Sequence, residues 1–377
     1  MKKILLVPDS FKGTLSSISI CSILSEEIRR VWPEALAISI PVADGGEGSV
    51  DAFLTAVGGE RRTVLCQGPY GEPVEGFYGM LPGGTAVVEM AAAAGLPLAE
   101  GRLDPEKTST YGVGQLIKAA AAEGAKKIIV GLGGSATNDG GAGAAAALGV
   151  RFLDEAGQPY VPTGGTLKWL TAVDASSLDP VLEGVELVTM CDIDNPLCGP
   201  TGASAVFGPQ KGADPDMVRR LDANLTHLAD IMARDLGKDL RDMPGAGAAG
   251  GMGCGMAGFL NSRLQMGIET VLDTVGFDEL LADADLVITG EGRIDGQSLR
   301  GKVVIGVARR AKVQGVPVVA VVGDIGDDVE AAYDMGVTGI FSTNRVAIPF
   351  REAKGRAESD LRLTARNLLS FMGRMGL

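Results

Sequence analysis

The chain has 377 residues, 46% of them hydrophobic and 21% charged, and a formal net charge of −13 at pH 7. This length suits two domains with sizeable cores, and the composition is that of a folded globular protein rather than a disordered one. No basic stripe interrupts the acidic balance, which argues against nucleic acid or an anionic membrane as a main partner and leaves local phosphate binding by loop N–H groups open.

In chain order, short apolar runs alternate with helical patterns. The first, Lys3–Val7, is too short for a secretory h-region, stops at Pro8-Asp9 and reads as a strand. A helix is predicted over Ser16–Val31. The stretch Arg61 to Gly84 is rich in glycine and proline with period-2 alternation, which predicts an antiparallel excursion. Strands follow at Ala86–Met90 and Lys127–Val130, with a helix over Tyr111–Glu123 between them. After the strand Glu186–Met190, a second glycine-rich stretch runs from Pro244 to Gly258. The final run places strands at Leu286–Thr289, Val316–Val322 and Gly339–Ser342, and a helix over Lys302–Gln314. Such alternation predicts an α/β fold with mostly parallel sheets, and one domain inserted between the two glycine-rich punctuations. No run of about eighteen apolar residues occurs, so no membrane span is expected.

The residue inventory narrows the chemistry. Five cysteines (Cys21, Cys66, Cys191, Cys198, Cys254) without regular spacing fit a reduced, cytosolic compartment. Cys191 and Cys198 have no CxxC spacing or histidine partner, so a metal pair is not expected. The single histidine, His227, lies in a helical pattern, which rules out an HExxH zinc motif and leaves a serine triad without its GxSxG elbow. Carboxylates, lysines, arginines and hydroxyls must do the work. Phosphoryl transfer needs little else, because positioning and charge stabilisation carry most of it.

Five polar clusters stand at predicted strand ends, where ligands bind in such folds. Asp9-Ser10-Phe11-Lys12-Gly13-Thr14 offers a lysine to an anion ahead of a capped helix. Asp44-Gly45-Gly46-Glu47 sets two acids on a glycine turn, a pattern that can hold magnesium. Gly131 to Gly143, GLGGSATNDGGAG, joins a β-branched run to a small-residue helix and reads as a phosphate cradle. Asp192-Ile193-Asp194-Asn195 can orient a hydroxyl or ligate magnesium, or form an Asx-turn before Pro196. Glu291-Gly292-Arg293-Ile294-Asp295, followed by Gly301-Lys302, makes an anion site. Residues Gly296 to Lys302 satisfy GxxxxGK, but Val303 stands where a P-loop needs a hydroxyl, so a Walker A assignment fails. A dinucleotide oxidoreductase reading, from Gly131-x-Gly133-x-x-Ala136 with Asp154 beyond, lacks a hydride-transfer residue set. A non-catalytic sugar-acid binding module would leave the carboxylate clusters surplus.

Taken together the motifs closely resemble the type I glycerate kinase family of bacterial glycerate and glyoxylate metabolism. The resemblance rests on PDSFKGTLSS, PVADGGEG, VEMAAAAGLPL, GGSATNDGGAG, CDIDNPLCGP, FGPQKGA, PGAGAAGGMG and DLVITGEGRIDGQSLRGK, and runs nearly end to end. Ser298 stands where threonine is expected, which keeps the hydroxyl.

The resemblance implies ATP-dependent phosphorylation of D-glycerate, most often to 2-phosphoglycerate. It also implies a discontinuous Rossmann-like or restriction-enzyme-like domain (1–65 and 285–377), an inserted flavodoxin-like domain (66–284), and an active site in the cleft between them. Combined with the residue reading, it assigns Asp192 to orient the reacting hydroxyl and accept its proton, with Asp194 and Asp295 as rivals. Lys12 and Arg293 are assigned to the glycerate carboxylate and the transferring phosphoryl group, and arginine's planar fork suits the carboxylate. Ser10, Asp194, Asn195 and Asp295 complete the substrate set. Gly133, Gly134, Ser135, Thr137, Asn138 and Lys302 are assigned to the nucleotide, and Asp44, Glu47 and Asp139 to Mg2+. The expected partners are D-glycerate and ATP alone, in a cytoplasmic monomer or homodimer.

Overall fold

Lys3–Pro8 is a strand whose Ile4, Leu5, Leu6 and Val7 are all fully buried. A run apolar on both faces needs cover on both sides, which is the signature of a central strand in a parallel sheet. The structure, a computed structural model, describes residues 2–43, 45–296 and 298–376. The chain divides into two compact units: Met1–Ala43, Asp51–Gly58 and Ile268–Leu377 form one, and Asp44–Val50 and Gly59–Gly267 form the other.

Among the described residues of the first unit, five strands make one all-parallel sheet in the order Val337–Ser342, Val318–Val322, Leu286–Gly290, Lys3–Pro8, Leu36–Ser39. Counted along the chain within this unit the order is 2-1-3-4-5, which is the flavodoxin-like arrangement. The resemblance implied that order for the inserted domain and a Rossmann-like one here. The difference has a simple origin. The first crossover, through helix Ser17–Val31, places Leu36–Ser39 on one side of Lys3–Pro8, and the returning chain places Leu286–Gly290 on the other. The strand order therefore reverses between Lys3–Pro8 and Leu286–Gly290.

Helix Ser17–Val31 starts where the Ser16 hydroxyl accepts the Ser19 N–H at 3.1 Å. Its buried Ile20, Ile23, Leu24 and Ile28 recur at helical spacing and join a core with Leu361, Ala365, Leu368 and Leu369 of helix Ala357–Arg374. Each fully buried side chain of this size contributes about 1.5–3 kcal/mol. Glu27, fully buried between these two helices, accepts from Arg366 Nε at 2.9 Å, which with Arg362 holds its carboxyl below the usual range despite burial.

The second unit is built on a mixed sheet. Its order is Arg263–Gln265, Glu186–Met190, Lys127–Gly131, Thr85–Glu89, Pro73–Leu81, Glu60–Gln67. The last three strands pair antiparallel, as the alternation over Arg61 to Gly84 predicts, and the remaining pairs are parallel. A small antiparallel sheet of Arg151–Leu153, Pro159–Tyr160 and Ala172–Asp174 lies aside. Glu60–Gln67 belongs wholly to this unit because it pairs along its full length with Pro73–Leu81. A boundary at residue 65 would cut that ladder. The other boundary falls at Gly267 rather than 284, because helices Gly267–Thr274 and Phe277–Leu281 lie with the first unit. No described helix is long and apolar enough to cross a membrane.

Candidate active site

In the first unit, the loops at the carboxyl ends of Lys3–Pro8 and Leu286–Gly290 are tied together. Asp9 N–H donates to Gly290 O at 2.8 Å, and the Thr289 hydroxyl donates to Val7 O at 2.8 Å. Ser10 follows with its N–H donating to Asp9 Oδ1 at 2.6 Å. The chain then closes a tight turn, in which Phe11 N–H donates to Leu15 O and Thr14 N–H to Phe11 O, each at 2.8 Å. Gly13 takes φ +76°, and Lys12 stands exposed at the tip. The turn thus presents a cation at the sheet edge while Phe11 is buried beneath it.

The loop after Leu286–Gly290 starts a separate two-stranded sheet. Arg293–Ile294 pairs parallel with Asp324–Ile325, and exposed Arg293 lies 3.7 Å from the Asp295 carboxylate. Asp295 N–H donates to the Ser298 hydroxyl at 3.3 Å. Lys302, exposed, caps helix Val303–Val313 in an extended conformation. Ser10 and Lys12 thus follow strand Lys3–Pro8, and Arg293, Asp295 and Lys302 follow its neighbour Leu286–Gly290, so these residues chosen from the sequence come from the loops beyond the carboxyl ends of two paired strands.

Glu291 is the group to which the sequence motifs gave no role. It is buried directly after strand Leu286–Gly290, and its Oε1 has no hydrogen-bond partner among the described residues. Burial pushes its carboxyl up to about 7, with Asp9 and Asp295 adding to the shift and Ser298 and Lys302 opposing it. The sequence signal was an acid flanked by glycines at the end of a short, mostly apolar strand.

In the second unit the glycine-rich loop has a different character from the open cradle expected. Gly133 and Gly134 retain exposure, but Ser135, Thr137, Asn138 and Asp139 are buried. The Ser135 hydroxyl accepts from Lys211 Nζ at 2.8 Å, and Thr137 O accepts from the same ammonium at 2.6 Å. Asn138 Nδ2 donates to the Ser204 hydroxyl at 3.1 Å. Several glycines serve close approach: a Cβ on Gly131 would meet Gly45 O at 2.5 Å, and one on Gly143 would meet the Ser109 hydroxyl at 2.2 Å. Packing of interior segments, more than anion binding, explains the glycine density.

Asp139 is corrected most clearly. Its Oδ2 accepts from Thr110 N–H, the Thr110 hydroxyl and Gly143 N–H, and its Oδ1 accepts from Gly141 N–H, at 2.8–3.2 Å. Burial pushes its carboxyl up against these donors. A carboxylate consumed by four internal donors organises the loop and does not face a metal. Lys211, in the FGPQKGA stretch, is a second residue the motifs left without a role: it is fully buried, and burial pushes its ammonium down to about 7 with Asp139 opposing.

The Asp192 cluster lies at the end of strand Glu186–Met190. Asp192 and Asp194 are exposed, and Asp192 Oδ1 accepts from Gly267 N–H at 2.7 Å. Asn195 Nδ2 donates to Thr201 O at 2.9 Å, so part of this cluster shapes its own loop. Of the acids assigned to magnesium, Glu47 is exposed and Asp44 lies outside the described residues. His227 Nε2 lies 2.7 Å from Leu170 O, a structural contact within the second unit. Among the described residues, no group of three or more histidine, cysteine, aspartate or glutamate side chains is placed to hold a metal.

The sequence profile of the glycerate kinase family matches residues 4–373. The chain belongs to the glycerate kinase family. Among its relatives, the glycerate kinase of Bacillus subtilis (strain 168) is 47% identical over 368 residues, covering 97% of this chain and 96% of that one. The glycerate 2-kinase of Escherichia coli (strain K12) is 44% identical over 373 residues, covering 98% of each. A crystal structure from Salmonella typhimurium LT2, assigned as glycerate kinase 2, superposes with a TM-score of 0.88 at 43% identity, covering 100% of this chain and 99% of that one. Family membership thus extends over both units, and the strand-end clusters of each fall inside the matched span.

Proposed function

We propose that the chain transfers the γ-phosphoryl group of ATP to a hydroxyl of D-glycerate, giving 2-phosphoglycerate. The observation that carries this reading is the coverage: relatives named glycerate kinase and glycerate 2-kinase align over 97% and 98% of the chain. In-line attack by the glycerate hydroxyl forms the new O–P bond as the bond to the leaving ADP breaks. The transition state spreads charge over the transferring oxygens, so the largest demand on the protein is for positioned cations.

Lys12, Arg293 and Lys302 meet that demand in this reading. Arg293, exposed and held beside Asp295, presents a planar fork to the glycerate carboxylate, while Lys12 and Lys302 serve the phosphates. Asp192, with Asp194 and Asn195 beside it, orients the hydroxyl and receives its proton, and Asp295 is the rival on the first unit's sheet edge.

Magnesium is tested against the donor set. The ion keeps several waters and binds through one or two carboxylates plus substrate phosphates, so it needs no all-protein cage. Exposed Glu47 suits such a partial shell, and buried Asp139 does not. When bound with ATP, the ion neutralises phosphate charge.

Phosphorus NMR after incubation with ATP, magnesium and D-glycerate is the direct test, since it separates the 2- from the 3-phosphate. A 2-phosphoglycerate signal is expected, and its absence removes the reading. Asp192→Asn is expected to lower turnover by roughly two to four orders of magnitude with the melting temperature unchanged. Near-normal turnover transfers the hydroxyl to another acid.

A further inference from the structure

The first unit holds a pocket of about 300 Å³ that the roles above use only at its rim. It lies over the carboxyl ends of the parallel strands. Phe11, Lys12 and Thr14 line it from the loop after Lys3–Pro8, and Gly292 from the loop after Leu286–Gly290. Gly323 and Asp324 reach it after Val318–Val322, and Asn344 after Val337–Ser342. The strand order reverses between the first two of these strands. In open parallel sheets the crevice outside the carboxyl ends, at such a reversal, is where nucleotides bind, and the 2-1-3-4-5 order carries its nucleotide at the junction of strands 1 and 3.

The walls have two chemistries. One side is apolar, formed by Ile348, Phe350, Ala353 and Ala357, and Phe350 is 65% exposed without a cover of its own. The rim carries the exposed cations Lys12 and Lys354 and the exposed acid Asp324. Asp360 also borders the pocket, but its carboxylate accepts from Arg345 Nε at 3.1 Å and pairs with Arg356, so its charge is already met. An apolar wall, an exposed acid and rim cations suit a flat heterocycle, a ribose diol and a phosphate chain in that order. Glycerate, a three-carbon acid, would leave most of the volume empty and finds little to bind on the apolar wall.

We propose that this pocket holds the nucleoside half of the phosphoryl donor, with the base against Phe350 and Ala357, the ribose hydroxyls toward Asp324, and the phosphates leading to Lys12. This assignment rests on the kinase reading for the identity of the donor. It places the donor on the first unit and leaves the buried loop of the second unit a packing role.

Two variants outside the catalytic set test it: Ala357→Phe, which fills the pocket, and Phe350→Ala, which strips its exposed wall. Titration calorimetry with ADP, in the absence of glycerate, reads the site without turnover. Expected is a loss of ADP affinity of at least about tenfold in either variant, a matching rise in KM for ATP, and an unchanged KM for D-glycerate. Unchanged ADP affinity in both folded variants overturns the proposal, as does a rise in the KM for glycerate alone. If Ala357→Phe fails to fold, Phe350→Ala decides by itself, because that side chain is largely in solvent. A wild-type protein that binds ADP here, loses it in the variants and yet leaves glycerate unphosphorylated supports the pocket and removes the acceptor. A wild-type protein that makes 2-phosphoglycerate while the variants keep their ADP affinity removes the pocket alone.

Discussion

Glu291 and Lys211 are buried titratable groups whose pH dependences have opposite signs. The folded state raises Glu291 from its ordinary 4.5 to about 7 by burial, so the folded chain holds a proton that the unfolded chain releases in that interval. Its stabilising effect is complete below pH 4.5 and is lost as pH rises to about 7. Glu291→Gln keeps the shape without the charge. The variant is expected to gain stability relative to wild type across that window, reaching roughly 3 kcal/mol at about 1.4 kcal/mol for each pH unit between the two values. Urea unfolding at a series of pH values checks this, and a constant difference across the window contradicts it. Lys211, depressed to about 7 by burial, is protonated in the unfolded chain up to its ordinary 10.5, so its effect on stability rises over the interval above 7. Lys211→Met is expected to abolish that rise and to cost about 1–3 kcal/mol near neutral pH, because Ser135 Oγ and Thr137 O lose their donor. At this scale the sequence displayed the exposed groups best. Lys12 and Arg293 sit in motifs whose chemistry is local. The state of Glu291 depends first on its burial, with Asp9 from near the other end of the chain adding to the shift, and no local pattern carries that.

At the scale of elements, apolar runs and caps located most strands and helices. Lys127–Gly131 and Glu186–Met190 emerge within a residue of their expected ends, and Ser16 caps its helix. The edge strand Leu36–Ser39 offers less, being short and nowhere fully buried. The glycine-rich loop was legible as a loop, and the burial of Ser135, Thr137, Asn138 and Asp139 within it was not. Its glycines answer contacts with distant segments: Gly140 N–H donates to Gly250 O at 3.0 Å, and a Cβ on Gly140 would meet Leu228 at 2.3 Å. A packing role makes a specific prediction. Gly131→Ala forces a Cβ against Gly45 backbone and is expected to cost about 1–3 kcal/mol or more. Gly355→Ala, with nothing within 4 Å of its Cβ, is expected to be near neutral. Comparable melting temperatures for the two variants would contradict the packing account.

Across the whole molecule, the second unit is nearly continuous in sequence while the first is assembled from three segments. The central strands Lys3–Pro8 and Leu286–Gly290 are neighbours in space but separated by most of the chain. Closing that loop is an entropic cost the first unit must meet before its sheet exists, whereas the second unit's sheet order follows the chain. A fragment spanning 44–267 is therefore expected to melt cooperatively by itself, as seen by circular dichroism, and a fragment ending at 267 is expected to leave its residues 3–43 unstructured by hydrogen exchange. A non-cooperative 44–267 fragment contradicts the division. The α/β class, the alternation of elements, the family and the motif cations were all legible in the residue order, because each is written in short local patterns that recur or accumulate along the chain. The packed chain was needed to reveal that the reversal of strand order lies in the discontinuous unit, that most of the glycine-rich loop is interior, and that Glu291 is buried, with its carboxyl raised by that burial. Those properties arise from which distant segments pack together, and burial is a property of neighbours rather than of the residue that is buried.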